Sequence, residues 1–430
     1  MKLNYKRTIL AGFAFFLISA FWQAYDTIVP LILTNKYDLA QSFSGAIMAL
    51  DNVFAVFLLP IFGNLSDRTN TKYGRRTPYI VIGTVCAATF FSLIGVTNHL
   101  WSFVLILLLS LLSMASFRSP AVALMPDITV KPLRSKGNAI INLMGTLGGI
   151  IILLLAGPFK TSEAGKTDFT AYILTVCGVM LAALLVFVFT VREKSWADDM
   201  QKASALLEPE AETSPNKKGK LSKSQLTSLI LILASVALWY IGYNAITSKY
   251  SVYASNFLNI SYSTTLLIAQ AAAVICYIPA GIIASKIGRR KTILIGVVLL
   301  FTSFFGAAFI REGAPVLIMT VLFALAGVGW ATINVNSFPM VVELAGAGDT
   351  GKFTGYYYTA SMAAQIVTPV LSGTLMDVFG NVWGLSRPAY EVLFPYAAVF
   401  CALAFVTMMF VKHGDSKIEA KKGIEALDVD

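Results

Sequence analysis

Long apolar stretches, broken only by short charged or Pro/Gly-rich gaps, recur along the whole of this chain and limit its folds more than any other feature. They can be bounded at 8–33, 42–63, 77–97, 101–126, 138–158, 169–191, 225–246, 263–284, 292–310, 315–340, 353–376 and 392–411. Each is near the ~20 residues a helix needs to cross a hydrocarbon core. Lipid admits only helices or closed barrels, because every backbone polar group must find its partner inside the chain. A barrel strand alternates apolar and polar residues, and these runs do not. The expectation is therefore an all-α membrane protein with twelve transmembrane helices, here called segments 1 to 12. Of the 430 residues, 57% are hydrophobic and 13% charged, so little chain is left for an extramembrane catalytic domain and no enzyme is expected.

The formal charge of +10 would suit a nucleic-acid partner only if the basic residues formed one patch. They follow the membrane instead. With the N-terminus in the cytoplasm, 26 of the 33 Lys and Arg fall on the cytoplasmic side and six (Lys36, Lys160, Lys166, Lys249, Arg311, Arg387) on the other, leaving Arg118 inside segment 4. That asymmetry is the positive-inside rule, with both termini cytoplasmic and the cytoplasmic membrane as the site. No nucleic-acid partner is expected. The first segment follows MKLNYKRTIL without a cleavage signal and reads as a retained span. Cys86, Cys177, Cys276 and Cys401 lie in apolar segments without paired spacing, as packing residues do.

Residues 192–224 hold seven basic and six acidic residues around EPEAETSPNKKGK and read as a solvated linker. The chain then divides into a six-helix bundle over 1–191, the linker 192–224, a second bundle over 225–411 and a tail over 412–430. The halves repeat. Tyr25-Asp26 returns as Tyr243-Asn244 and Gly63 as Gly281, both 218 positions later, while Gly74-Arg75-Arg76 returns as Gly288-Arg289-Arg290 after 214. Arg118, Asp127 and Lys136 match Asn334, Glu343 and Lys352 at 216. Parallel repeats of this kind enclose one central site between two halves.

The loops GNLSDRTNTKYGRRTPYI (63–80) and GIIASKIGRRK (281–291) resemble the Gly-x-x-x-Asp-Arg-x-Gly-Arg-Arg signature of the major facilitator superfamily. Gly63 and Gly281 would let helices approach, and Asp67 could accept hydrogen bonds from Arg68 or Arg75. Gly74, Arg75, Arg76, Gly288, Arg289 and Arg290 complete a gating element. Ser285 takes the place of the acid in the second copy, so any latch there should be weaker. Asp127 and Glu343, matched in the repeat, read as latches to these basic loops. The segments FRSPAVALMPDITVKPLRSKGNAIINLMG (117–145) and GVGWATINVNSFPMVVEL (327–344), with the long GRRTPYI loop, look like the sucrose/disaccharide proton symporters and the glycoside–cation symporters. This resemblance implies proton-coupled uptake of a sugar, a disaccharide or related glycoside, by a monomer in the lipid bilayer, with the proton as coupling ion and no cofactor. Leu59 stands before the segment 2 proline, Pro60, where melibiose-type symporters carry Asp. The hexose-porter motif is missing at VREKSW, and the Gly148-Gly149 and Gly157-Pro158 pairs match the drug-antiporter motif poorly.

Charges inside membrane helices are costly and tend to mark pathways or relays. Asp26, Asp51 and Arg118 are the three candidates. A carboxyl in a drying cavity gains a proton more easily and a nearby cation opposes this, so such a set can couple protonation to occupancy. His99 and His413 lie near the ends and cannot supply a buried proton site. Sugar hydroxyls call for amides and flat aromatic faces. Trp22, Gln23, Tyr25, Asn142, Tyr243, Asn244, Gln270, Trp330, Asn334, Asn336, Tyr357 and Gln365 lie on suitable segments. An interhelical hydrogen bond is the plainer role for any single Asn or Gln, and of Tyr356-Tyr357-Tyr358 at most two can face one cavity. Asp26 and Arg118 correspond to neutral Asn244 and Asn334, so the first half is expected to carry proton coupling and the second neutral substrate contacts. The glycines Gly145, Gly148, Gly149, Gly327 and Gly329 are expected to allow close helix packing. No phosphate loop, metal-ligand cluster or nucleophile–base pair is present in the sequence. A proton-driven exporter of drugs or metabolites shares most of these features, and a non-transporting membrane sensor is the rival of another class.

Overall fold

The computed structural model describes residues 3–130, 133–205, 222–344, 350–382 and 388–414, and among them the regular structure is entirely helical. Helices α1 (Tyr5–Ala11) and α2 (Phe13–Leu31) form the first crossing, interrupted only at Gly12, where an added Cβ would meet Met144 and the carbonyl of Ile9. The first half continues through α3 (Gln41–Arg68), α4 (Thr77–Ile94), α5 (Leu100–Ile128), α6 (Arg134–Ala156) and α7 (Thr170–Thr190). After α8 (Glu193–Ala205) the second half comprises α9 (Lys223–Val252), α10 (Tyr262–Ile287), α11 (Arg289–Ala307), α12 (Val316–Val342), α13 (Thr350–Val382) and α14 (Leu393–Met409). Eleven of the described spans are long and apolar enough to cross a membrane. Helix α6 completes the expected twelve, its apolar stretch Ile140–Ala156 being preceded by a polar turn.

The repeat is visible in the packing. Helix α2 meets α9, α3 meets α13 and α6 meets α10, which are the contacts a two-fold axis between equivalent halves requires. Both α2 and α9 end in a π-helical turn, Ile32–Lys36 and Tyr253–Phe257. Glycine supplies the close contacts, since lipid gives helices no hydrophobic reason to associate and van der Waals fit must do so. A Cβ on Gly145 or Gly148 would strike Ser19 or the backbone of Phe16 on α2, and one on Gly327 the backbone of Ala269 on α10. Gly329 lies against the carbonyl of Gly296, so the glycine-rich stretches are packing surfaces as expected.

Two expectations are corrected. The sequence ends segment 7 at 246 and leaves Lys249 beyond it, but α9 runs to Val252 and Lys249 is only 1% exposed. The linker is not solvated throughout: its first part is α8, while residues 206–221 lie outside the described residues. A single apolar anchor, Trp196, is buried and carries Arg7 over its ring at 5.6 Å, and Arg7 pairs with Asp199 at 2.8 Å. Glu193, also buried, turns its carboxylate onto the start of α4, accepting from the backbone N–H of Arg75 at 2.8 Å, Arg76 at 2.9 Å and Thr77 at 2.7 Å, and from the Thr77 hydroxyl at 2.7 Å. One acid thereby satisfies the first free donors of a membrane helix.

Glu193→Ala should lower the thermal unfolding midpoint of the detergent-purified protein and red-shift Trp fluorescence as α8 loosens. A loss on the order of 2 kcal/mol is expected from the unmet donors, and a smaller one for Glu193→Gln.

Candidate functional site

Between the two halves lies a cavity of about 170 Å³, lined by Trp22 and Asp26 of α2, Met48, Asp51 and Asn52 of α3, Arg118 of α5, Asn244, Thr247 and Ser248 of α9, and Gln365 and Pro369 of α13. On four of the five helices the lining residues stand three or four apart, which brings them to one face. The three membrane charges read from the sequence thus converge on one space. The guanidinium of Arg118 lies 5.3 Å from the centre of the Trp22 ring, over a π face that attracts cations. Both carboxylates interact with Arg118 electrostatically, yet among the described residues neither reaches ion-pair distance of it. Asp51 instead accepts the backbone N–H of Asn52 at 2.6 Å and its side-chain amide at 2.7 Å. Trp22 Nε1 and Asn244 Nδ2 are buried donors with no partner among the described residues. The cavity therefore presents two carboxylates, one guanidinium and spare donors to whatever fills it.

The remaining substrate candidates divide. Gln23 accepts a hydrogen bond from Gln270 and so bridges the halves beside Gly149, where a Cβ would lie 3.3 Å from Gln270 Oε1. Gln365 lines the cavity and donates to the Ser361 carbonyl at 3.3 Å. Tyr243 stacks on Trp330 with ring centres 3.8 Å apart and planes at 7°, a braced aromatic pair on the second half. Asn142 lies seven residues before Gly149, on the same face of α6 and two turns toward the basic loops, and is exposed with its amide donating to the Asn138 carbonyl at 2.9 Å. Asn334 is likewise exposed. Three expectations place differently. Tyr25 is wholly buried, its hydroxyl donating to the Met48 carbonyl at 3.3 Å, so it joins α2 to α3 behind the cavity. Asn336 is buried and donates to the Thr332 carbonyl of its own helix at 2.8 Å. Tyr357 is buried against Ser337, hydroxyl to hydroxyl at 2.9 Å, whereas Tyr358, seven residues before Gln365, shares its face and interacts with Arg118.

The basic loops hold the expected ion pairs with changed partners. Asp67 pairs with Arg76, not with Arg68, which is exposed, or Arg75, because Arg76 is the side chain turned inward between α3 and α5. Arg75 grips Asp127 through two bonds of 3.0 and 2.6 Å, and Arg76 Nε reaches the same carboxylate at 2.8 Å. In the second copy Arg289 pairs with Glu343, Arg290 donates to the carbonyls of Met408 and Met409, and Ser285 turns back on Ile282. Gly74 and Gly288 adopt φ of 117° and 94°, a backbone region that favours glycine, at the same point of each repeat. Gly63 lies against Ser119, while Gly281 makes only ordinary contact with Val335. Each ion pair among the described residues stays within one half, so these latches stiffen the bundles rather than join them.

Asn52, Thr247 and Ser248 were not singled out in the sequence. Asn52 could have been, as the neighbour of a membrane acid. Thr247 and Ser248 fell past the drawn end of segment 7, and reading Lys249 as a helical residue would have recovered them.

A family model described as Major Facilitator Superfamily matches residues 11–366 and, separately, 260–427. The chain is 22% identical over 399 residues to the isoprimeverose transporter of Lactiplantibacillus pentosus, covering 90% of this chain and 80% of that one. It is 24% identical over 404 residues to the class B tetracycline resistance protein of Escherichia coli, covering 89% and 90%. Among solved structures, the xylose transporter XylE from E. coli in an inward open conformation superposes with a TM-score of 0.68 at 13% identity over 99% of this chain and 100% of that one. The nucleoside transporter NupG superposes with a TM-score of 0.69 at 14% identity over 94% and 100%. These superpositions establish the shared fold, and the family match spans most of the residues that build both halves. The chain belongs to the major facilitator superfamily, a membrane transporter and not an enzyme.

Proposed function

We propose that this transporter carries a sugar, a disaccharide or related glycoside, into the cell together with a proton, with the basic face and both termini in the cytoplasm. The observation that carries this reading is the cavity itself: Asp26 and Asp51 face Arg118 without an ion pair, beside amides and hydroxyls from the other half. A membrane charge left without a direct partner needs compensation. A proton on one carboxyl or a hydroxylated cargo between the charges supplies it, and each then favours the other. That mutual dependence is coupling. Asn244, Thr247, Ser248 and Gln365 offer donors and acceptors to sugar hydroxyls, and Trp22 an aromatic edge. The cavity suits one sugar ring, with a second extending past Asn142 and Tyr358 toward the cytoplasm. Similarity to an isoprimeverose transporter supports a sugar cargo.

The conformation on this reading is inward-facing. The contacts that cross between halves cluster at the face opposite the basic loops, as in Asn35–Asn256 at 2.7 Å and Thr161–Tyr262 at 2.7 Å. Similarity to a tetracycline resistance protein favours export as the second reading.

In weakly buffered, de-energised cells, adding the transported disaccharide should raise external pH. Asp26→Asn or Asp51→Asn should abolish that signal while leaving sugar exchange between the two sides. No response to any sugar, with the external pH rising only when a drug moves outward in exchange for entering protons, sinks the sugar assignment. Asn244→Ala should weaken half-saturation about tenfold by removing a buried donor, with the proton-to-sugar ratio unchanged. Loss of that ratio in Asn244→Ala, with Asp26→Asn changing affinity alone, reverses the division of labour between the halves.

A further inference from the structure

The face opposite the basic loops is closed by three sets of contacts, and they are not equivalent. On the axis, Asn256 donates to Asn35 at 2.7 Å. On one side, Thr161, just beyond α6, meets Tyr262 at the start of α10, hydroxyl to hydroxyl at 2.7 Å. On the other, the residue 216 positions after Thr161 is Asp377 on α13, and it meets the start of α3. Its two carboxylate oxygens accept the backbone N–H of Gln41 at 3.0 Å and of Ser42 at 2.8 Å. Lys249, buried in α9, donates to the carbonyl of the same Gln41 at 2.8 Å. The second half thus holds the first turn of α3 by an acid on its donors and an ammonium on its acceptor. Around this grip the helices touch backbone to backbone, a Cβ on Gly373 running into the Gln41 carbonyl and one on Gly45 into that of Pro369.

The same two helix faces lead to the cavity. Along α13, Gln365, Pro369, Gly373 and Asp377 recur every four residues, and α3 carries Gln41, Gly45 and Met48 before Asp51. We infer that Asp377 and Lys249 are the gating residues of this face, a two-point ionic clamp that must release α3 before the cavity can open there. The Thr161–Tyr262 contact is its uncharged counterpart, around which the halves turn. Charge-assisted bonds to backbone groups are stronger than hydroxyl pairs, so the α3–α13 side sets the stability of the closed face. The clamp rests on the transport reading for its purpose. Its geometry and its test need neither sugar nor proton gradient.

Spin labels on Ala164→Cys and Glu312→Cys, one exposed loop position in each half, would report the separation of this face in a chain whose four native cysteines are replaced. In nanodiscs without substrate, the clamped chain should give mainly the short distance. Asp377→Asn and Lys249→Met should each enlarge the long-distance population about tenfold, and Thr161→Val much less. Gly373→Ala and Gly45→Ala should open the face by steric wedging and so show that the labels detect opening. Opening in the glycine variants with none in Asp377→Asn overturns the clamp, as does equal opening in Thr161→Val. Because no cargo is added, a mistaken sugar assignment leaves either result intact.

Discussion

Every helix that starts inside or beside a membrane exposes N–H groups that its own backbone cannot satisfy, and the rest of this structure depends on how those starts are met. Two of them are met by carboxylates from distant parts of the chain. Glu193 closes the start of α4 from the helix that follows α7, wholly within the first half. Asp377 closes the start of α3 from the second half. The chemistry is the same and the consequence differs. The first makes one rigid body of α4, α7 and α8, and the second joins two bodies that transport requires to separate.

Charge is distributed with the same logic. At the basic loops the acids Asp67, Asp127 and Glu343 pair with arginines of their own half, so they can stay paired while the halves move. In the cavity, Asp26, Asp51 and Arg118 share the space without direct pairing. Arg118 spreads over the ring of Trp22 instead, which holds a cation without neutralising it. Static pairs at the periphery and open charges at the centre divide the structural work from the functional work.

The twelve crossings, the repeat and the three membrane charges Asp26, Asp51 and Arg118 were legible in the sequence, because apolar length and rare membrane charges leave few alternatives, whereas their meeting in one cavity was not. What was not legible depended on contacts distant in sequence. Tyr25 and Tyr357 carry the right chemistry for a sugar but point into helix seams, and Tyr358 shares the face of Gln365 because a helix turns 100° per residue. Lys249 and Asp377 were invisible as a pair: one read as a loop lysine, the other lay just past segment 11, and only the approach of α3 gives either a partner. Helix α8 escaped because it lies in a charged stretch, and the contacts that hold it, Trp196 in the core and Glu193 on the start of α4, are distant in sequence.

The π-helical turns that end α2 and α9 bring Asn35 and Asn256, the fourth residue of each, into contact on the axis between the halves. A bond between the same position of two matching turns is isologous in form, the kind two identical subunits make across a two-fold axis. The Asp377 clamp is the reverse, since it needs the halves to have diverged at the one repeat position that Thr161 and Asp377 share. The closed face therefore retains, at its centre, the self-complementary contact of a symmetric dimer. The directionality that a dimer of equals cannot have is added at its edge.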